Sequence, residues 1–78
     1  MNIDTRNQIV RLVALKAQID VGEVRLDSTL ESLGLDSLHL TEIALWMDQQ
    51  HGVNIPEGDL SDDQTVDEVL AYLSERMN

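Results

Sequence analysis

Seventy-eight residues allow one domain, near the lower limit for a self-sufficient core, so residues 1–78 are read as a single unit. Fifteen Asp and Glu against five Lys and Arg give a formal charge of −10. That balance excludes nucleic acid, whose phosphates need clustered cations, and disfavours anionic membrane surfaces. The absence of cysteine excludes a disulfide framework, a thiolate metal site and a cysteine nucleophile.

The first helical pattern runs from about Asp4 or Thr5 to Ala17. Ile9, Leu12, Val13 and Lys16 fall on one stripe, Lys16 at its edge with a stem long enough to bury. Thr5 and Gln8 have the spacing of a capping box. A long connection from Ile19 to Asp36 follows, with few apolar side chains to anchor residues 20–28. Inside it, Ser28-Thr29-Leu30-Glu31 has the spacing of a second capping box, which predicts a single helical turn near residues 29–33.

Asp36 suits the N-cap of a second helix running from Ser37 to about Gln50 and stopping before Gly52. Val53-Asn54-Ile55 reads as an extended link, because the residue before Pro56 avoids the helical region. Pro56 is placed to open a short third helix, with Glu57 and Asp59 in its first turn. Ser61 to Gln64 is a polar connection. Thr65-Val66-Asp67-Glu68 is a capping box for the last helix, whose apolar face is Val66, Val69, Leu70 and Leu73. No window alternates with period two. The predicted fold is all-α: a small four-helix bundle of three main helices and one short one, with a long first loop. No stretch is long and apolar enough to span a membrane, and no basic start leads into an apolar run, so a cytoplasmic monomer is expected.

At about 100° per residue, Leu40, Ile43, Ala44, Met47 and His51 form the core face of the second helix. Leu38 and Leu45 point nearly opposite, among Thr41, Glu42, Asp48 and Gln49. Single exposed leucines are ordinary. Two on one face inside an acidic rim are the layout of a docking surface. The candidate docking residues are therefore Leu38, Thr41, Glu42, Leu45 and Asp48. The acidic field would speed encounter with basic protein patches. Trp46 lies on the flank, placed to seal the core edge.

In the run Gly34-Leu35-Asp36-Ser37-Leu38, a glycine-ended loop delivers one hydroxyl to the start of a helix. The free N–H groups of that first turn favour an attached anion such as a phosphodiester. Here the chain resembles the acyl carrier protein family, whose members bear phosphopantetheine on the serine of an Asp-Ser-Leu motif. The resemblance runs from roughly Ile9 to Leu73. It implies a non-catalytic carrier whose Ser37 oxygen attacks the β-phosphorus of coenzyme A on a separate phosphopantetheinyl transferase, with magnesium assistance. The attached 4′-phosphopantetheine would then hold acyl, aminoacyl or polyketide groups as thioesters for fatty acid, polyketide or related biosynthesis. Partners implied are that transferase and acyl-loading or condensing enzymes with basic docking patches. Gly34 would let the loop turn and keep the approach to Ser37 clear. Asp36 would cap the helix and assist docking to the transferase. In the family the short third helix helps wall a cavity for acyl chains. The resemblance implies Ile43, Met47, Ile55, Leu60 and Leu70 for such a cavity here, although simple core packing accounts for them equally. The family often has an acid where His39 stands and a small residue where Trp46 stands.

Asp36, Ser37 and His39 also invite a hydrolase reading. A nucleophile elbow needs glycine two residues either side of the serine, and those places hold Leu35 and His39. His39 and Ser37, two apart on a helix, diverge. His39 is expected to face solvent or a partner, and His51 to be a satisfied residue at the core edge. The two histidines lie on different faces and make no metal site. Asp59, Asp62 and Asp63 lack calcium-loop spacing and read as a solvated connection. The rival from another class is an unmodified, acidic helical interaction domain that uses Leu38, Leu45 and the rim acids.

Overall fold

The computed structural model describes residues 1–77. Three α-helices are present: α1 (Ile3–Ala17), α2 (Ser37–His51) and α3 (Val66–Arg76). Two single 3₁₀ turns, Val21–Glu23 and Glu31–Leu33, lie in the connection between α1 and α2. The described residues hold no β-strand, only an isolated bridge between Thr29 and Thr65.

Each helix begins where a short polar side chain meets orphan backbone donors. α1 is capped by Asn2, whose side-chain oxygen accepts the Thr5 N–H at 2.8 Å. The expected Thr5–Gln8 box therefore does not form; Asn2 starts the helix a turn earlier and leaves Thr5 buried inside it. At α3 the expected box is complete. The Thr65 hydroxyl accepts the Glu68 N–H at 3.1 Å, and the Glu68 carboxylate accepts the Thr65 N–H at 2.9 Å.

The turn at Glu31–Leu33 falls inside the predicted window, but Thr29 caps it, not Ser28. The Thr29 hydroxyl accepts the Ser32 N–H, and its carbonyl accepts the Ser32 hydroxyl. The Glu31 N–H is already given to the Asp62 carbonyl, so it cannot serve a local box. This is one rung of a longer tie. Leu30 N–H donates to Gln64 O, Val66 N–H to Ser28 O and Asp67 N–H to Leu26 O, at 2.9–3.0 Å. The loop from Leu26 to Glu31 is thereby laced to the residues that start α3.

The predicted short third helix is absent. Pro56–Asp59 forms one turn closed by an Asp59 N–H to Pro56 O bond of 3.1 Å. Gly58, at φ +93°, occupies a backbone region that a right-handed helix does not use. Pro56 thus opens a turn and not a helix, and the bundle has three helices.

The core gathers Ile9 and Val13 of α1, Leu40, Ile43 and Met47 of α2, and Val66, Val69, Leu70 and Leu73 of α3. Leu30, Leu35 and Val53 join them from the connections. Leu12 and Trp46 pack at the margin. Lys16, at the edge of the α1 stripe, reaches Glu42 of α2 with a 3.1 Å ion pair.

Candidate functional site

α2 begins at Ser37 because the chain before it is punctuated twice. Gly34 sits at φ +82° and ends the preceding 3₁₀ turn. A Cβ there would meet no atom within 4 Å, so the position asks for glycine through its backbone angle and not through crowding. Leu35 then drops into the core, 2 % exposed, and pins the loop. Asp36 follows as N-cap and Ser37 as the first helical residue, both exposed.

One Asp36 carboxylate oxygen accepts the N–H groups of Leu38 and His39 at 3.1 and 3.2 Å. The His39 N–H above all, joined by the ring of His39 and the Leu38 N–H, holds the Asp36 carboxyl below its usual range, against desolvation. Two of the first-turn donors expected to be free for an anion on Ser37 are therefore already taken. What this end of the helix offers an anion beside Asp36 is correspondingly reduced.

His39 does not project to solvent or a partner as expected. Its ring folds back onto the cap, where Nδ1 lies 3.2 Å from the Asp36 backbone nitrogen and 3.0 Å from Asp36 Oδ1. Nδ1 serves one of these at a time: unprotonated it accepts the N–H, protonated it donates to the carboxylate. In either state the ring is held on the Asp36 cap, the polar half of a capping box.

Beside Ser37 runs an open groove of about 460 Å³. One wall is α2, with Leu40, Thr41 and Ala44; the other is the link through Ile55, the Pro56–Gly58 turn and Leu60. Of the five residues expected around a cavity, Ile55 and Leu60 line this groove. Ile43, Met47 and Leu70 sit deeper, in the core. Thr41, expected to take part in docking, lines the groove and donates its hydroxyl to the Ser37 carbonyl at 3.0 Å.

The outer wall is fastened to α3. The Asp59 carboxylate accepts the Tyr72 hydroxyl and, at 3.0 Å, an Arg76 N–H, while the Arg76 guanidinium lies 5.0 Å from the Tyr72 ring centre. Asp59 is therefore not part of a solvated connection. Desolvation first, then the bond to Asp59, raises the Tyr72 phenol above its ordinary value, with the Arg76 charge opposing. A raised folded-state value stabilises fully below the unfolded value of about 10 and fades as pH rises through the folded value. Melting temperature followed from neutral to strongly alkaline pH is thus expected to fall less steeply in Tyr72→Phe than in the parent.

Leu38 and Leu45 are 64 % and 54 % exposed, with Glu42 and Asp48 exposed on the same side of α2. At the far end of α2, His51 Nε2 is buried without a hydrogen-bond partner among the described residues. That corrects the expectation of a satisfied histidine; its ring instead meets Trp46 edge-on, centroids 5.3 Å apart. No group of three His, Cys, Asp or Glu suited to a metal occurs among the described residues, and no helix is long and apolar enough to cross a membrane.

Comparison with known proteins places this geometry in context. An acyl carrier protein of Rhodococcus erythropolis is 38 % identical over 56 residues, covering 70 % of this chain and 62 % of its own length. Those of Rickettsia canadensis and Rickettsia typhi are 29 % identical over 72 residues, covering 91 % of this chain and 84 % of theirs. A family model described as "phosphopantetheine attachment site" matches residues 7–73. A small helical chain that presents an exposed serine at a helix start, and matches that family over most of its length, belongs to the phosphopantetheine attachment site family, as a non-catalytic carrier of 4′-phosphopantetheine.

Proposed function

We propose that residues 1–78 form a single carrier domain whose arm is attached to Ser37 and whose cargo is an acyl chain. The observation that carries this reading is the position of Ser37. It is exposed, it is the first residue of α2, and it stands at the edge of a groove whose walls include Leu40, Ala44, Ile55 and Leu60. The residues fit the group: the Ser37 hydroxyl is reachable, its neighbours leave the outward side open, and an apolar groove begins beside it. When bound, the arm supplies a terminal thiol on which acyl groups travel as thioesters; the chain itself has no thiol to compete for them.

The chain's own residues position and present. Leu35 anchors the loop from inside, and Gly34 gives it the turn that Ser37 needs. Asp36 fixes the helix start, so the serine leaves the fold at a set angle. No catalytic base is required of a non-catalytic carrier. His39, held on Asp36, is spent on the cap and is not aimed as a base at Ser37.

Leu38 and Leu45, ringed by Glu42 and Asp48, are read as the surface that the transferase and the loading and condensing enzymes touch. Exposed leucines within an acidic rim suit partners with basic patches around an apolar centre, in the cytoplasm. Leu45→Arg replaces an exposed side chain, so helicity is expected to be unchanged. The rate of modification by a phosphopantetheinyl transferase is expected to fall about tenfold or more, as for a lost interface anchor. An unaltered rate would remove Leu45 from the docking surface. The attachment is tested by intact mass after incubation with coenzyme A and a broad transferase; an unmodified interaction domain would gain nothing.

A further inference from the structure

The outer wall of the groove is a strap with two moorings. At its start Val53 is buried, and its N–H is given to Met47 O at 3.3 Å. Between the moorings, Pro56, Glu57 and Gly58 are exposed, and a side chain added at Gly58 would meet nothing within 4 Å. At its far end the mooring is Asp59, whose carboxylate bridges to Tyr72 and Arg76 of α3. Gln64 adds a weaker backbone hold, its amide donating to Asp59 O at 3.4 Å and accepting the Ser61 N–H at 3.0 Å. Both neighbours of Asp59, Gly58 and Leu60, line the groove. Among the described residues, the side-chain hydrogen bonds that reach this wall from another helix are those at Asp59.

We infer that the Asp59–Tyr72–Arg76 grip sets the position of the groove wall, and through it the length of acyl chain that the carrier shelters. This rests on the reading of Ser37 as the attachment point. A short acyl group on the arm's thiol does not extend along the strap and so does not depend on its far end. A longer chain must lie along Ala44, Ile55 and Leu60, where a displaced wall no longer excludes water from the apolar contacts. Asp59, Tyr72 and Arg76 are positioning residues; none lines the groove.

The test loads the full chain with a broad transferase and either acetyl-coenzyme A or octanoyl-coenzyme A, then follows thioester cleavage by hydroxylamine with intact mass. Rates are divided by those of the free acyl-coenzyme A, which removes intrinsic reactivity. In the parent, the octanoyl form is expected to be protected relative to the acetyl form. In Tyr72→Phe and Asp59→Asn that relative protection is expected to fall about two- to tenfold, the range for one or two lost hydrogen bonds, with acetyl rates unchanged. Tyr72→Phe keeps the ring packed at the margin of the core, and Arg76→Gln changes an exposed residue, so at least one loosened variant retains the fold. Arg76→Lys, which keeps the cation, is expected to preserve the protection.

A merely structural role would lower the melting temperature while moving both acyl forms together, and that result would overturn the inference. So would full octanoyl protection in the loosened variants, or a parent that protects neither form. A parent that gains no mass at all would instead refute the attachment at Ser37.

Discussion

Ser37→Ala is expected to abolish the mass gain completely while leaving the far-UV circular dichroism of the parent. The side chain is exposed, and the cap that starts α2 belongs to Asp36, whose carboxylate holds the Leu38 and His39 N–H groups. Alanine is also a better helix former than serine, so the first turn loses nothing. The effect is thus all-or-none on chemistry and near zero on structure. Modification that persists in this variant would place the arm elsewhere. The chain's remaining exposed hydroxyls, such as Thr41 and Ser32, lack a comparable place at the first position of a helix.

The second large effect concerns Leu30, which is fully buried although it comes from the long first connection. Its N–H reaches Gln64 O at 2.9 Å, and its carbonyl accepts both Leu33 and Leu35 N–H groups, at 3.1 and 3.0 Å. The residue therefore fastens the loop to the start of α3 and sits directly before the segment that presents Ser37. Leu30→Ala should cost about 2–5 kcal/mol, the range for a buried leucine. A domain of 78 residues has a total stability of only about 4–12 kcal/mol. A fall in melting temperature of more than about 10 °C is expected, with the rate of Ser37 modification reduced as the loop loosens. Leu26→Ala is the control: that side chain is 39 % exposed, so its loss should be much smaller. Equal effects from the two substitutions would contradict the role given to Leu30.

The helices were legible in the sequence because their signals are local. Asp36 before Ser37-Leu38, and Thr65 three residues before Glu68, announce caps by spacing alone, and both caps are present. The apolar rows of α2 and α3 likewise specify their buried faces, since 3.6-residue periodicity needs no knowledge of neighbours. Ser37 could be singled out for the same reason. What escaped depends on partners distant in sequence. Leu30 stood in a predicted single turn with no sign of a core role, yet four backbone bonds between residues 26–31 and 62–67 carry it into the core. Asp59 looked like one acid among several, because nothing nearby announces Tyr72 and Arg76 thirteen and seventeen residues on.

Local competition explains the other departures. Pro56 with Glu57 and Asp59 satisfies the composition of a helix start, but Gly58 two places later adopts a positive φ and closes a turn. Thr5 had a suitable partner at Gln8, but Asn2 takes the Thr5 N–H that Gln8 would have accepted. His39 shows the limit of reading charge from a sequence. As an isolated ring it belonged to the solvent; three residues after an N-cap aspartate it has a backbone donor and a carboxylate within reach, and one or the other holds it.

Lys16, Arg25 and Arg76, three of only five cations, are already neutralised within the molecule, by Glu42, Asp27 and Asp59. The carboxylates left over crowd one another, and dissolved ions relieve that crowding. The same ions blunt the long-range pull on the basic-patched partners proposed above, so added electrolyte should favour persistence of the folded chain while slowing its capture. Storage and turnover then have opposite optima, and a buffer chosen for a rigid sample is a poor one in which to time the shuttle.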